Sequence, residues 1–202
     1  MLWDSLIVKI PETIKTVSLF PEKNNKVVIE FAKALSFEFG SNETILACTK
    51  QCFEGVNNDN VITLSSEQYS SLVKLHNQLF PNTYLTGNEM VEGLSDTSTV
   101  FGVVDEHRNL LGYLYAEAEP EFAEGSIEFF GVALASRNKG VGSSLLAKGL
   151  EWMFSFPSIE AVTLCVQSDN TKAMRLYSRL GFNIEHELKF FEKDLEEQIC
   201  SD

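Results

Sequence analysis

Arg137, Lys139, Gly140 and Gly142 place two cations and two glycines directly ahead of an apolar run, in the stretch "ASRNKGVGSSLL". The 202-residue chain around them carries a formal net charge of −13. Such a turn does chemistry through its backbone. A helix N-terminus has unpaired N–H groups and about half a positive charge, so it can hold an anion. A phosphate reaches those N–H groups only where side chains are absent, and glycine also permits the nest conformations that aim successive N–H groups inward. Arg137, Asn138, Lys139, Gly140, Val141, Gly142 and Ser143 therefore read as a diphosphate cradle, with Arg137 and Lys139 adding mobile charge at its rim. The spacing is not G-x-x-x-x-G-K-[ST], and Leu145 stands where G-x-G-x-x-G would need its third glycine. On these residues alone, a plain strand-to-helix turn is the alternative.

The thiols and imidazoles offer less. Cys48 and Cys52 are spaced C-x₃-C, without the His pair or second C-x₂-C that would complete a zinc set. No metal is expected, and the cysteines read as reduced thiols of a cytoplasmic protein. His76, His107 and His186 are scattered and none adjoins a plausible nucleophile, which argues against a Cys–His hydrolase built on Cys165. Cys165 reads as core.

The elements that must position the cradle follow from periodicity. "NKVVIEFAKALSFEF" has apolar residues at Val27, Phe31, Ala34, Leu35 and Phe39, a helical period, and "ETILACT" reads as a short strand. The polar cluster "EGVNNDN" marks a boundary, dividing the chain into an N-terminal region, 1–60, and a domain, 61–202. Beyond it come a strand at "VITL", a helix with Ser65 or Ser66 as N-cap and Pro81 as stop, and a short helix at "GNEMVEGLSD". A hairpin then turns at His107, Arg108 and Asn109, and "GSIEFFGVAL" is a strand leading into the cradle. The helix that the cradle opens carries Val141, Leu145, Leu146, Leu150, Met153 and Phe154 on one stripe. "IEAVTLCV" reads as a strand buried on both faces. A last helix is capped by the Ser168/Asp169/Asn170 cluster and stopped by Gly181, and "FNIEHELKFFEKDL" closes with one or two strands. A faint echo relates "FAKALSFEF" (31–39) to "LAKGLEWMF" (146–154), so 1–60 reads as a degenerate half-repeat without the glycines; chance similarity of two amphipathic helices is the alternative.

Composition narrows the function. A hydrophobic fraction of 44% supports an ordinary globular core. No stretch is long and apolar enough to span a membrane, and the N-terminus shows no basic leader before an apolar segment. The acidity argues against nucleic acid and anionic membranes as partners and is compatible with a cationic small substrate.

Arg137-x-x-Gly140-x-Gly142, then a strand, then "NTKAMRLYSRLGF", resembles the GNAT superfamily of N-acetyltransferases. The second segment matches at Asn170, Ala173, Leu176, Tyr177, Leu180, Gly181 and Phe182, and the resemblance covers about 65–195. Asn138 departs from the glycine of many members. The resemblance implies an α/β (α+β) fold: a mixed, mostly antiparallel sheet whose central parallel strands splay, with flanking helices. It implies acetyl transfer from acetyl-CoA to an amine of a small molecule or peptide, the coenzyme pyrophosphate lying on the cradle and the pantetheine in the splay. It also implies that the backbone of Val132, Ala133 and Leu134 seats the thioester and pantetheine, and that Tyr177 faces the departing sulfur. Tyr177 is equally a core aromatic of its helix.

An alkyl amine near pKa 10 is almost wholly protonated at neutral pH, so transfer needs a base. Glu128, on the strand leading into the site, is the candidate by position; an alternation of two would put it on the same face as Val132. A structural carboxylate is the other reading. Glu117, Glu119, Glu121 and Glu124 form either an acidic lip for a cationic acceptor or a solvated hairpin. Asn170 contacts the pantetheine or caps its helix. "FPNTYLTGNEM" and the acidic hairpin are the expected acceptor loops, with Tyr84 and Met90 either lining the pocket or filling a core. The rival to an enzyme is a non-catalytic acyl-CoA sensor that keeps the cradle without turnover.

Overall fold

The computed structural model describes residues 2–11, 13–81 and 83–195. Contacts divide the chain into two compact units, Met1–Thr44 with Gln167–Asp169 and His186–Asp202, and Ile45–Val166 with Asn170–Glu185. These units do not share the 60/61 division drawn from the polar cluster.

The first unit contains α1 (Leu2–Ile7), β1 (Thr16–Leu19), α2 (Lys26–Ala34), the start of β2 (Glu38–Thr49) and most of β8 (Asn183–Asp194). Its core is aromatic: Trp3 meets Phe37 edge-on at 5.4 Å, and Phe191 packs in the same cluster. Here the helix read as running to Phe39 stops early. Leu35 caps α2 and Ser36 takes left-handed backbone (φ 57°). Phe37 is thereby buried against Trp3, and Phe39 belongs to β2. The period holds through Ala34 and Leu35 but not to Phe39, because Phe37 is buried by Trp3, a partner distant in sequence, while Phe39 lies exposed on the strand.

The second unit contains β3 (Ile62–Thr63), α3 (Ser66–Leu79), α4 (Gly87–Glu92), β4 (Ser98–Val104), β5 (Leu110–Glu119), β6 (Glu124–Val132), a short 3₁₀ turn (Leu134–Ser136), α5 (Val141–Ser155), β7 (Ala161–Gln167) and α6 (Thr171–Arg179). Within this unit the strands lie in the order β7-β6-β5-β4-β3. β3 to β6 are joined antiparallel in succession and β6 pairs with β7 in parallel, the mixed, mostly antiparallel sheet expected.

Alternation along β5 separates two cores. Leu114, Ala116 and Ala118 join the α5 stripe of Leu145, Leu146, Leu150 and Met153. Tyr113 and Tyr115 join Leu72, Leu75 and Met90 of α3 and α4. The turn at 107–109 forms as expected: Arg108 is left-handed (φ 63°), and the Asp105 carboxylate accepts from the amides of His107 and Asn109. β7 differs from its reading. Val162, Leu164 and Val166 are buried, but Cys165 and Gln167 are exposed, so the strand is buried on one face only. Cys165 is therefore not core; an apolar run cannot say whether a second layer covers it.

Candidate active site

The parallel strands part where the motifs meet. β6 and β7 pair only at Glu124↔Ala161, Gly125↔Val162 and Ser126↔Thr163. Beyond that, 127–132 of β6 and 164–167 of β7 run without pairing to each other, which opens the splay. The Ala133 amide donates to Leu111 O of β5 at 2.9 Å. Successive residues of a strand aim their amides at opposite edges, so the Val132 amide faces the gap. Leu134, at the mouth, is 78% exposed.

The cradle follows at once. Asn138 has φ 61° and Gly140 has φ 84°; asparagine is among the few side chains that tolerate this backbone, which explains how it replaces glycine at 138. Among the described residues, no backbone amide from Asn138 to Ser143 donates to a protein acceptor; the first is Ser144 N, to Gly140 O at 3.1 Å. The starts of α2 and α6 are each closed by a side chain. Asn25 Oδ1 accepts from Val28 N on α2, and Asn170 Oδ1 accepts from Ala173 N on α6, each at 3.2 Å. The α5 start, with glycine at the cap, has no such contact. Its donors are free for an anion.

Three cradle residues act differently from expectation. A Cβ on Gly140 would meet nothing within 4 Å, so glycine is required there by its backbone angle. A Cβ on Gly142 would lie 3.1 Å from Phe130 and 3.2 Å from Leu176, so this glycine serves close packing of α5. Arg137 is not mobile: its Nε donates to Val132 O at 3.1 Å, tying the cradle to the strand end. Lys139 is exposed, and Val141 is buried and anchors the first turn.

Tyr177 lies on the buried face of α6, 7% exposed, with its ring near Phe130 and Phe182. Its hydroxyl has no partner among the described residues and is not sealed from solvent. Burial pushes its pKa up to about 12. Tyr84, Tyr113 and Tyr115, by contrast, spend their hydroxyls on Glu128, His76 and Glu117.

A β-bulge relocates Glu128. Tyr115 pairs with Phe129 but Ala116 pairs with Ile127, so Glu128 is the extra residue. The bulge reverses the alternation: Ile127 and Val132 pack in the α5 core, and Phe129 in the α3/α4 core. The Glu128 carboxylate accepts from Tyr84 Oη at 2.5 Å, on the α3/α4 side. It does not share a face with Val132, and a strict period of two could not have shown this. Tyr84, 75% exposed, stacks obliquely on Phe129 at 5.3 Å. Although most of the residue is exposed, its pKa is raised, first by partial desolvation of the hydroxyl, then by the bond and charge of Glu128 and by Glu117. Glu117, accepting from Tyr115, thus belongs beside Glu128. Glu119, Glu121 and Glu124 stay exposed on the hairpin. Met90 is fully buried and fills the core.

Sequence reasoning missed the Tyr115–Glu117 contact and a buried imidazole, His76, behind Tyr84. A histidine directly after Leu75 and four positions after Leu72 signalled burial, but its partners come from other elements.

A sheet opened between two parallel strands, with a donor-rich helix start over the opening, defines a class of acyltransferase scaffold. The chain belongs to the GNAT acetyltransferase family, whose profile, "Acetyltransferase (GNAT) family", matches residues 69–182. Among curated proteins it is similar to a mycothiol acetyltransferase of Renibacterium salmoninarum, 30% identical over 97 residues, covering 46% of this chain and 28% of that protein. It is also similar to the L-amino acid N-acetyltransferase AaaT of Escherichia coli, 28% identical over 79 residues, covering 38% and 49%. The matches thus span less than half of these relatives. Among solved structures, a GCN5-related N-acetyltransferase from Sphaerobacter thermophilus aligns with TM-score 0.69 at 14% identity, over 95% of this chain and 64% of that one. Arabidopsis thaliana NAA60 in complex with acetyl-CoA aligns with TM-score 0.54 at 17% identity, over 67% and 98%. No helix among the described residues is long and apolar enough to cross a membrane.

Proposed function

We propose that this protein is an acetyl-CoA-dependent N-acetyltransferase acting by direct attack of a primary amine, on a cationic small molecule or peptide. The observation that carries the reading is the presence, among the described residues, of unsatisfied amides at 138–143 and a free Tyr177 hydroxyl beside the stretch of β6 that does not pair with β7. The amides would hold the pyrophosphate and the Val132 amide the pantetheine or thioester carbonyl, with Lys139 offering its charge to the phosphates. Asn170 acts as the α6 cap. Acetyl-CoA supplies a thioester carbonyl open to nucleophiles.

The acceptor approaches from the α3/α4 face, where Glu128 and Glu117 set a negative potential. Glu128 takes the proton of the incoming ammonium, directly or through water. The neutral amine adds to the carbonyl, the C–S bond breaks as the intermediate collapses, and the second nitrogen proton passes through water to the departing sulfur, giving the amide and the free thiol. Tyr177 donates a hydrogen bond to the forming thiolate. That one similar protein is named for L-amino acids makes an α- or side-chain amine of an amino acid the first acceptor to try. Residues 1–60 are read as a degenerate half-repeat; the Asn25 side chain closes the start of its helix, α2, so it offers no second cradle.

The test is acetylation of a panel of L-amino acids, alkylamines and polyamines with free-thiol detection, run beside a CoA thermal shift. A CoA shift with amine-dependent thiol release supports the reading. Stabilisation without any turnover would instead favour a non-catalytic role.

A further inference from the structure

The imidazole of His76 is wholly buried between α3, β5 and the loop into α4. Its Nδ1 is 2.6 Å from Tyr113 Oη and its Nε2 is 2.8 Å from Leu85 O. A carbonyl only accepts, so Nε2 carries the proton and Nδ1 accepts from the tyrosine hydroxyl. The ring also meets Phe129 edge-on at 4.8 Å and Phe80 at 5.5 Å. Leu85 directly follows Tyr84, and Phe129 directly follows Glu128. One side chain thus grips the neighbours of both members of the Tyr84–Glu128 hydrogen bond.

We propose that His76 is a positioning residue for the acceptor side of the site: by holding the Leu85 carbonyl and the Phe129 ring, it fixes where Tyr84 meets Glu128. This rests on the acceptor-side reading above. The neighbouring ties do not replace it. Asn77 Oδ1 holds Gly87 N at 3.3 Å and the Thr86–Glu89 capping box closes α4, but both lie beyond Leu85. Without His76, the described polar ties of the Tyr84 segment are its α4 end and the bond to Glu128, beside the packing of Leu85 on the α3/α4 core and of the Tyr84 ring on Phe129, and that bond is the one the acceptor must approach.

Two substitutions separate the two ring nitrogens. His76→Gln can carry its amide N–H to the position of Nε2 and keep Leu85 O. His76→Asn reaches only the position of Nδ1, keeps Tyr113 and releases Leu85. Loss of one buried hydrogen bond of about 1.4 kcal/mol corresponds to about tenfold. His76→Asn should therefore exchange its amide hydrogens in the 83–86 segment about tenfold faster than wild type, with α6 unchanged and His76→Gln close to wild type. With L-lysine as probe acceptor, the KM for L-lysine should rise by about the same factor in His76→Asn while the KM for acetyl-CoA stays within about twofold. Wild-type exchange at 83–86 in folded His76→Asn, or equal shifts in both KM values, would overturn the proposal. If wild type turns over no L-lysine, the enzymatic reading loses support while exchange still decides the latch. Should His76→Asn not fold, the imidazole ¹⁵N shifts of the wild-type protein decide: protonated Nε2 and bare Nδ1 support the latch, and the opposite tautomer refutes it.

Discussion

Tyr177→Phe removes one oxygen and no protein contact. The hydroxyl bonds nothing among the described residues while the ring packs beside Phe130 and Phe182, so the variant should fold with a Tm within about 2 °C of wild type. The kinetic effect depends on what the hydroxyl does. With its pKa at about 12 against about 8.5 for a thiol, complete proton transfer to the leaving thiolate is uphill by about 5 kcal/mol at about 1.36 kcal/mol per pK unit. A hydrogen bond to the developing charge is the smaller and sufficient role, worth about 1.5–3 kcal/mol. That converts to a fall in kcat of roughly 10- to 150-fold. Steady-state thiol release with saturating amine measures it, and the KM for acetyl-CoA should change little, since the interaction strengthens only as the C–S bond breaks. The pH profile provides a second reading. A phenol held near 12 does not ionise across pH 6–10, so Tyr177→Phe should scale the profile without changing its shape. A kcat within twofold of wild type would refute the reasoning, as would a limb near pH 8–9 that disappears in the variant.

Glu128→Gln keeps an oxygen for the Tyr84 hydroxyl but cannot accept a proton; kcat/KM for the amine should fall about 10²- to 10⁴-fold at pH 7 and recover as pH approaches that of the free amine, and a loss under threefold at pH 7 would count against Glu128 as the base. At Gly140 a Cβ meets open space and the cost is backbone strain at φ 84°, about 1–2 kcal/mol; Gly140→Ala and Gly140→Asp should melt alike without ligand, and only the Asp variant should lose the CoA thermal shift entirely, so a surviving shift would remove the cradle. Gly181→Ala would drive a Cβ into the Cys52 carbonyl oxygen at φ 91°, costing about 3 kcal/mol or more; calorimetry should show Tm lower by at least about 6 °C, and a change below 2 °C would show that the contact relaxes. Burial, and secondarily Cys52, raises the Cys48 thiol from 9.0 to about 11. A raised value means the stability it contributes is full below about 9 and is lost as pH climbs through about 11, with Tyr177 extending the loss toward 12. The urea midpoint should hold to pH 8.5 and then fall, less steeply in Cys48→Ala; an unchanged slope in that variant would refute the assignment.

What the sequence determined was local. The cradle is legible because a left-handed glycine, an amide-rich helix start and an apolar stripe are properties of consecutive residues; Gly140 and Asn138 adopt the backbone their types permit. The α6 segment is legible for the same reason, with Asn170 capping it and Gly181 stopping it. Tertiary structure decided the rest. The bulge that turns Glu128 toward Tyr84 depends on how β5 and β6 register against each other, and no spacing within β6 encodes it. The end of α2 at Ser36 depends on Trp3 receiving Phe37, and the exposure of Cys165 depends on which layer covers β7. In the sequence His76 is one of three scattered histidines, because its partners Tyr113, Leu85 and Phe129 lie 37, 9 and 53 positions away. Backbone preference acts between neighbours along the chain and can be read there; burial and pairing act between neighbours in space, which only the folded chain brings together.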